Sequence, residues 1–295
     1  MASAELRLIR RRIRSVQSTK KITRAMELIA ASRIVKAQER VKAAKPYANK
    51  MAEVIRNVGR ASGGASHPLL EARPVEKVGV LVITSDRGLA GAYNSSIIRL
   101  AERRMIDLQG ERKTIRLYAV GKKAQTYFTF RKYHIERSFL GVTDRPGYGD
   151  ARAIANTLMD EYASGAVDAV EVFNTEYLSA LIQAPAHATI LPITPPSAKD
   201  GAEATGPAPA YSYEPEPGEI LGRLLPRYVE SEIFGRLLDS SASEHASRQR
   251  AMKAATENAD ELIKVLTRTA NQARQAEITT EISEIVGGAE ALAKG

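Results

Sequence analysis

The sequence has 295 residues, 44% of them hydrophobic, a formal net charge of +9 and no cysteine. That length buries a core and accommodates about two structural units, while the missing cysteine removes disulfides, cysteine-rich zinc sites and thiol nucleophiles. Four histidines, His67, His134, His187 and His245, show no HExxH spacing, so metal or triad chemistry starts with few ligands and few bases and no such site is predicted.

No apolar run approaches the roughly 20 residues of a membrane span, and the start "MASAELRLIRRRIRSVQS" lacks the apolar core of a secretory signal. A soluble chain with no direct membrane span is expected. The arginine-rich start also reads poorly as a mitochondrial presequence, because the same pattern continues for another forty residues. Residues 1–60 hold 16 Lys and Arg against 4 Asp and Glu, a net +12, which leaves the other 235 residues at −3. The basic segment calls for an acidic partner: nucleic acid, anionic lipid or an acidic protein surface.

In chain order, the first predicted element is one long helix over 1–60. Positions 6, 9, 13, 16, 20, 23, 27, 30, 34, 37, 41, 44, 48, 51, 55 and 58 form a heptad seam, thirteen of them apolar where composition gives about seven. The exceptions, Lys20, Thr23 and Glu27, cluster, and Ile22, Met26 and Ile29 lie one position earlier. This reads either as a local phase slip of the seam or as a tolerated irregularity on a solvated stretch. Pro46 is expected to kink or interrupt the helix near Lys45.

Residues 61–76 read as a Gly- and Pro-containing linker. Over 77–194, β-rich runs at Val78–Ile83, Ile115–Val120, Ala169–Phe173 and Ala188–Ile193 alternate with helical stretches near 95–109, 122–132 and 149–164. That alternation predicts a Rossmann-like α/β domain with a mostly parallel sheet. Residues 195–218 read as a Pro-rich loop, with six of the thirteen prolines between 195 and 217. A C-terminal helix over 219–295 carries a weaker seam through Leu224, Tyr228, Leu238, Ala242, Met252, Ala259, Ile263, Leu266, Ala270 and Ala273. It is expected to reach about Val286 and stop at Gly287 and Gly288. The fold class is therefore α/β: a long antiparallel coiled coil of the N- and C-terminal helices, each about 90 Å long, forming a rod that projects beyond the α/β foot.

The stretch "SDRGLAGAYN", Ser85 to Asn94, follows a strand and precedes a helix, where a phosphate-binding turn would lie. Gly88 and Gly91 match the last two glycines of G-x-G-x-x-G, but Asp86 occupies the first. No acidic residue ends the second strand, and "VGKKA" at 120–124 lacks both the upstream glycine and the hydroxyl of a P-loop. A structural turn is favoured over a nucleotide site, with Asp86 and Arg87 ordering the loop or making contacts.

The segments "IRRRIRSVQSTKKITRAMELIAASRIVKAQERVKAAKPYA", "SDRGLAGAYN", "RYVESEIFGRLLDSSASEHASRQRAMKAATENADELI" and "NQARQAEITTEISEIVGGAEAL" resemble, in family order over nearly the whole chain, the γ subunit of F-type ATP synthase, the central rotor stalk. The resemblance implies a non-catalytic subunit whose terminal helices rotate inside a hexamer of α and β subunits. Its foot would join the ε subunit and the c-subunit ring, coupling proton flow to ATP synthesis or hydrolysis on β. It places the chain peripherally, on the cytoplasmic face of a bacterial cell membrane. Carried over by motif, Lys20, Lys21, Arg24 and Met26 fall on the family's β-facing collar. Arg274, Gln275, Thr279 and Glu281 fall on its hydrogen-bonding contact with β, and Tyr211 and Tyr213 on the part of the foot near the c-ring and ε. The basic stripe Arg7, Arg10, Arg11 and Arg14 fits acidic β-subunit loops. The redox cysteine pair of chloroplast members is missing.

Two other classes compete. A nucleic-acid-binding coiled coil would use the same basic helix, but residues 1–60 contain one aromatic, Tyr47, too few for base stacking. A nucleotide-dependent enzyme would use the middle domain, whose motif fails at two required positions.

Overall fold

A computed structural model of the chain describes residues 4–61, 67–194 and 216–293. Tyr211 and Tyr213, and most of the Pro-rich stretch, lie outside the described residues. Two long helices, α1 (Ala4–Ala61) and α5 (Pro217–Ala293), flank the elements β1 (Lys77–Ile83), α2 (Tyr93–Gly110), β2 (Thr114–Val120), α3 (Lys122–Phe130), β3 (Ile135–Phe139), α4 (Tyr148–Ala163), β4 (Ala169–Tyr177) and β5 (Gln183–Leu191). The chain divides into two compact units, Met1–Ala30 with Gln249–Gly295, and Ala31–Arg248, so the divisions fall inside α1 and α5 and not at the linkers.

The first unit is a pair of helix segments. Thr23 of α1 bonds Thr256 of α5, and Lys20 bonds Asp260; one number rises as the other falls, so the strands are antiparallel. On α1 the heptad positions Leu6, Ile9, Ile13, Val16, Lys20, Thr23, Glu27 and Ala30 are all buried or half-buried. On α5 the matching row is Gln249, Met252, Thr256, Ala259, Ile263, Leu266, Ala270, Ala273 and Glu277. Neither alternative holds: the seam does not slip, and this stretch of it is not solvated. Lys20, Thr23 and Glu27 stay in the seam, with Thr23 and Glu27 each 8% exposed, while Ile22 and Ile29 are 58% and 54% exposed on the outer face. Each polar seam residue has a polar partner, so keeping register costs less than shifting the stripe. The α5 seam does not reach Val286 either. Beyond Glu277 every described side chain is exposed, including Ile278, Ile282, Ile285, Val286 and Leu292. The helix itself runs on through Gly287 and Gly288 to Ala293, and neither glycine takes the left-handed conformation of a cap.

The second unit is built on a five-stranded sheet of order β3-β2-β1-β4-β5, with β1 to β4 parallel and β5 antiparallel to β4. Sequence patterning missed β3, whose residues IERSF are at most half-buried. Alternation splits β1: Val78, Val80 and Val82 face α2 and α3, while Leu81 and Ile83 face α4. A strand covered on both faces reads as a continuous apolar run. The α4 face also receives Met51, Ile55 and Val58 of α1 and Leu221, Leu225, Val229, Ile233 and Leu237 of α5. Further along, Ala37 and Val41 pack with Leu238 and Ala242. Helix α1 passes Pro46 without interruption, because packing on both sides outweighs one lost backbone bond.

The turn from β2 into α3 depends on Gly121, at φ 88°, where an added Cβ would lie 2.6 Å from the Thr84 carbonyl oxygen. Gly121→Ala is therefore expected to destabilise the chain by about 3 kcal/mol or more. Gly149→Ala, in a helical position with nothing within 4 Å of the new carbon, should be neutral or stabilising by up to about 1 kcal/mol. Denaturant unfolding of both variants checks the contrast.

Asp239 on α5 supplies a pH test. Burial pushes its carboxyl up to about 6; Lys45 and Arg236 oppose the shift and Glu176 adds to it. The folded state then holds the proton more tightly, so this group's contribution to stability falls as pH rises from about 4 to about 6 and stays low above. Asp239→Asn should match the wild type below pH 4 and exceed it by about 2 kcal/mol at pH 8, read from unfolding curves at the two pH values.

Candidate functional site

In a sheet of this order, chains leave β1 toward β2 on one side while β4 lies on the other, and ligands bind in the crevice that opens at those carboxyl ends. Here the crevice is filled by α5. Ser243 Oγ donates to the Thr175 carbonyl (3.4 Å), Arg236 to Asn174 Oδ1 (3.0 Å) and Arg248 to the Gly88 carbonyl (3.2 Å). The Ser85–Asn94 turn is ordered from within: the Ser85 N–H and hydroxyl both donate to Asn94 Oδ1, at 2.9 and 3.0 Å. Asp86 caps α3, accepting the Lys122 N–H at 3.1 Å and the Thr143 hydroxyl at 2.9 Å. The N-terminus of α3, which the partial P-loop match at 120–124 would use, already holds the chain's own carboxylate.

Burial shifts the groups nearby. Tyr93 is driven far up by desolvation and by Glu244. Glu244 is pushed up to about 7, first by burial, against the opposing Arg248 that bonds it at 2.6 Å. His245 is lowered by burial, against the Asp144 carbonyl and carboxylate that face it. These groups lie where α5 meets the loops, and patterning gave no sign of them.

The outer faces of the first unit differ in character. Lys20 is half-buried and paired with Asp260; Lys21 is exposed. Arg24, its side chain 57% exposed, donates to both oxygens of the buried Glu27 at 2.9 Å. Met26 is half-buried between the exposed Ile22 and Ile29, so Ile22, Met26 and Ile29, at i, i+4 and i+7, form a second apolar stripe facing away from the seam. Under the phase-slip alternative these three residues would have formed the displaced seam. Arg7, Arg10, Arg11 and Arg14 are exposed.

On α5, Arg274, Gln275, Thr279 and Glu281 are all exposed, and Thr279 Oγ1 donates to the Gln275 carbonyl at 2.9 Å. Lys20 pairs at Asp260, fourteen residues before Arg274, so the two predicted sets stand about 20 Å apart along the pair. They form two bands, not one site. Among the described residues no helix is long and apolar enough to cross a membrane.

Comparison with known proteins gives one answer. A family model described as ATP synthase matches residues 5–292. The chain is 49% identical to an ATP synthase gamma chain of Frankia casuarinae over 298 residues, covering 99% of each. It is 48% identical to the gamma chain of Kineococcus radiotolerans, covering 99% of this chain and 98% of the relative. Among solved structures it is similar to the central stalk and c-ring of Tetrahymena thermophila mitochondrial ATP synthase, at TM-score 0.60 and 26% identity, over 79% of this chain and 99% of that one. It also shares the fold of a chain in the Euglena gracilis mitochondrial enzyme, at TM-score 0.65 and 17% identity, over 98% and 94%.

The polar layer of the seam yields a test. Thr23→Val and Thr256→Val each remove one side of a 2.8 Å bond that is buried. Each should cost about 1 kcal/mol, and the double variant less than the sum by about 0.5 kcal/mol or more. Thermal unfolding of the four proteins closes the cycle.

Proposed function

The chain belongs to the ATP synthase family as a gamma chain, the central-stalk subunit, and from that premise we propose that it is the rotor that couples proton flow to nucleotide chemistry on its neighbours. Its first unit turns inside a hexamer of α and β subunits. The foot joins ε and the c-subunit ring, which places the chain peripherally on the cytoplasmic face of a bacterial membrane. It performs no bond chemistry itself.

The observation that carries this reading is the distribution of outward-facing groups on the helix pair. Ile22, Met26 and Ile29 on α1, and Ile278, Ile282, Ile285 and Leu292 on α5, point away from the seam that would otherwise bury them. Apolar stripes at two heights, separated by exposed arginines and polar groups, fit a surface enclosed by other proteins. A pair of helices has no threefold symmetry, so three equivalent surrounding sites meet three different faces and are held in different affinity states for ADP, phosphate and ATP. Contacts must break at each step, which favours modest exposed polar interactions over a large dry interface. In this reading Lys20, Lys21, Arg24 and Met26 form one band of β contact, and Arg274, Gln275, Thr279 and Glu281 the other. The filled crevice beside β1 and β4 agrees with nucleotides binding to partners instead.

Mixing the chain with cognate α and β subunits should give a stoichiometric complex with cooperative ATP hydrolysis. Arg274→Ala combined with Gln275→Ala should then lower turnover roughly fivefold or more, while stability of the chain changes by less than about 0.5 kcal/mol. Turnover equal to the wild type would remove these residues from the contact, and failure to assemble would remove the rotor reading.

A further inference from the structure

Outside the proposed contact bands, one cluster in the second unit has buried polar atoms with nothing to satisfy them. Asp144, from the loop between β3 and α4, and Glu244 and His245, from α5, each bring one ligand-type atom to within 4.8 Å of the other two. Glu244 is 1% exposed and His245 2%. Glu244 Oε2 and His245 Nδ1 are buried without a hydrogen-bond partner. Two lone-pair donors left unpaired in a desolvated pocket are costly unless something completes them.

The surroundings are arranged as an outer shell. Arg248 donates to the other oxygen of Glu244, Oε1, at 2.6 Å, and Arg33 pairs with Asp144 Oδ1. Each arginine therefore fixes one carboxylate oxygen and leaves the second. His245 Nε2 lies 3.3 Å from the Asp144 carbonyl oxygen and 3.9 Å from Asp144 Oδ1. With Nε2–H donating to that carbonyl, Nδ1 keeps its lone pair and has no hydrogen-bond partner. A ligating imidazole held by a backbone carbonyl, beside carboxylates held by arginines, is the usual support of a metal site.

We propose that Asp144, Glu244 and His245 bind a divalent cation of the zinc class, with water as the fourth ligand. One imidazole and two carboxylates suit zinc-type ions. At metal–ligand distances of about 2.0–2.1 Å, tetrahedral ligand atoms stand about 3.4 Å apart, so atoms now within 4.8 Å of one another must draw together by at most about 1.4 Å. The two arginines compensate the carboxylate charge in the metal-free state and set an upper limit on affinity, which makes the site a moderate, exchangeable one. Bound metal would pin α5 to the loop that also orients Thr143, the partner of Asp86.

The test uses the full chain, without an affinity tag and freed of metal by chelation. Zinc titrated against a chromophoric chelator should show one saturable site, and Co2+ should give visible d–d bands that zinc displaces. His245→Gln and Glu244→Gln should each weaken binding tenfold or more, while His187→Gln, outside the cluster, leaves it unchanged. Should those variants misfold, the wild type still decides: of the four histidine ring signals in an NMR spectrum, His245 alone should shift on zinc addition. Absence of saturable binding, undiminished binding by folded His245→Gln, or a shift at His67, His134 or His187 instead would each overturn the proposal.

Discussion

The structure depends on the burial of a heptad stripe by a partner helix from the opposite end of the chain. A helix of 58 residues gains little from its own backbone bonds in water and owes its persistence to covering an apolar face. Residues 4–30 cannot cover that face themselves. The covering segment is the row from Gln249 to Glu277, joined to it through an intervening α/β unit that closes the loop. Within this seam the Lys20–Asp260 and Thr23–Thr256 pairs contribute less energy than leucines would, yet they disfavour every register in which a threonine or a charge meets an apolar side chain. In the rotor reading proposed above, outer faces that meet neighbours at set heights need such a fixed register.

Much of this was legible in the sequence, and the misreadings have physical causes. All sixteen heptad positions of α1 are buried or half-buried, because period alone fixes which face turns inward. Both alternatives for Lys20, Thr23 and Glu27, a slipped seam or a solvated irregularity, fail because they judge each residue by its own polarity. What makes Thr23 acceptable inside is Thr256, 233 residues away, and no local window contains that information. The stop assigned to Gly287 and Gly288 failed because glycine ends a helix only when the following chain turns back through a left-handed residue. Strand β3 was missed since its charged middle, Glu136 and Arg137, is exposed at a sheet edge, where apolar alternation is weak. The cluster of Asp144, Glu244 and His245 had no sequence signature at all: two members are adjacent on a helix and the third is a hundred residues earlier.

The α/β unit shows how a fold can retain an architecture and lose the vacancy that usually goes with it. Its parallel strands diverge at β1 and β4 as in nucleotide-binding sheets, and the sequence after β1 keeps two of three fingerprint glycines. The Asp86 carboxylate is turned onto the N-terminus of α3, and the crevice is taken by Ser243, Arg236 and Arg248 of α5. The same strand–turn–helix geometry that binds an anion elsewhere here binds a piece of the chain. That is why motif spacing alone was ambiguous and the identity of a single residue, aspartate in place of glycine, was informative.

The last turns of α5 raise a separate question of balance. From Ile278 to Leu292 the helix has no covering partner among the described residues, carries two adjacent glycines, and exposes apolar side chains at helical spacing. Each glycine costs about 1 kcal/mol relative to alanine in a helix interior, and an uncovered helical end frays readily in water. A sequence selected only for the stability of the isolated chain would have ended near Glu277 or made this stretch polar. Keeping it apolar makes sense if its helical state is completed by surfaces outside the chain, where dispersion contacts, being non-directional, tolerate more than one relative orientation.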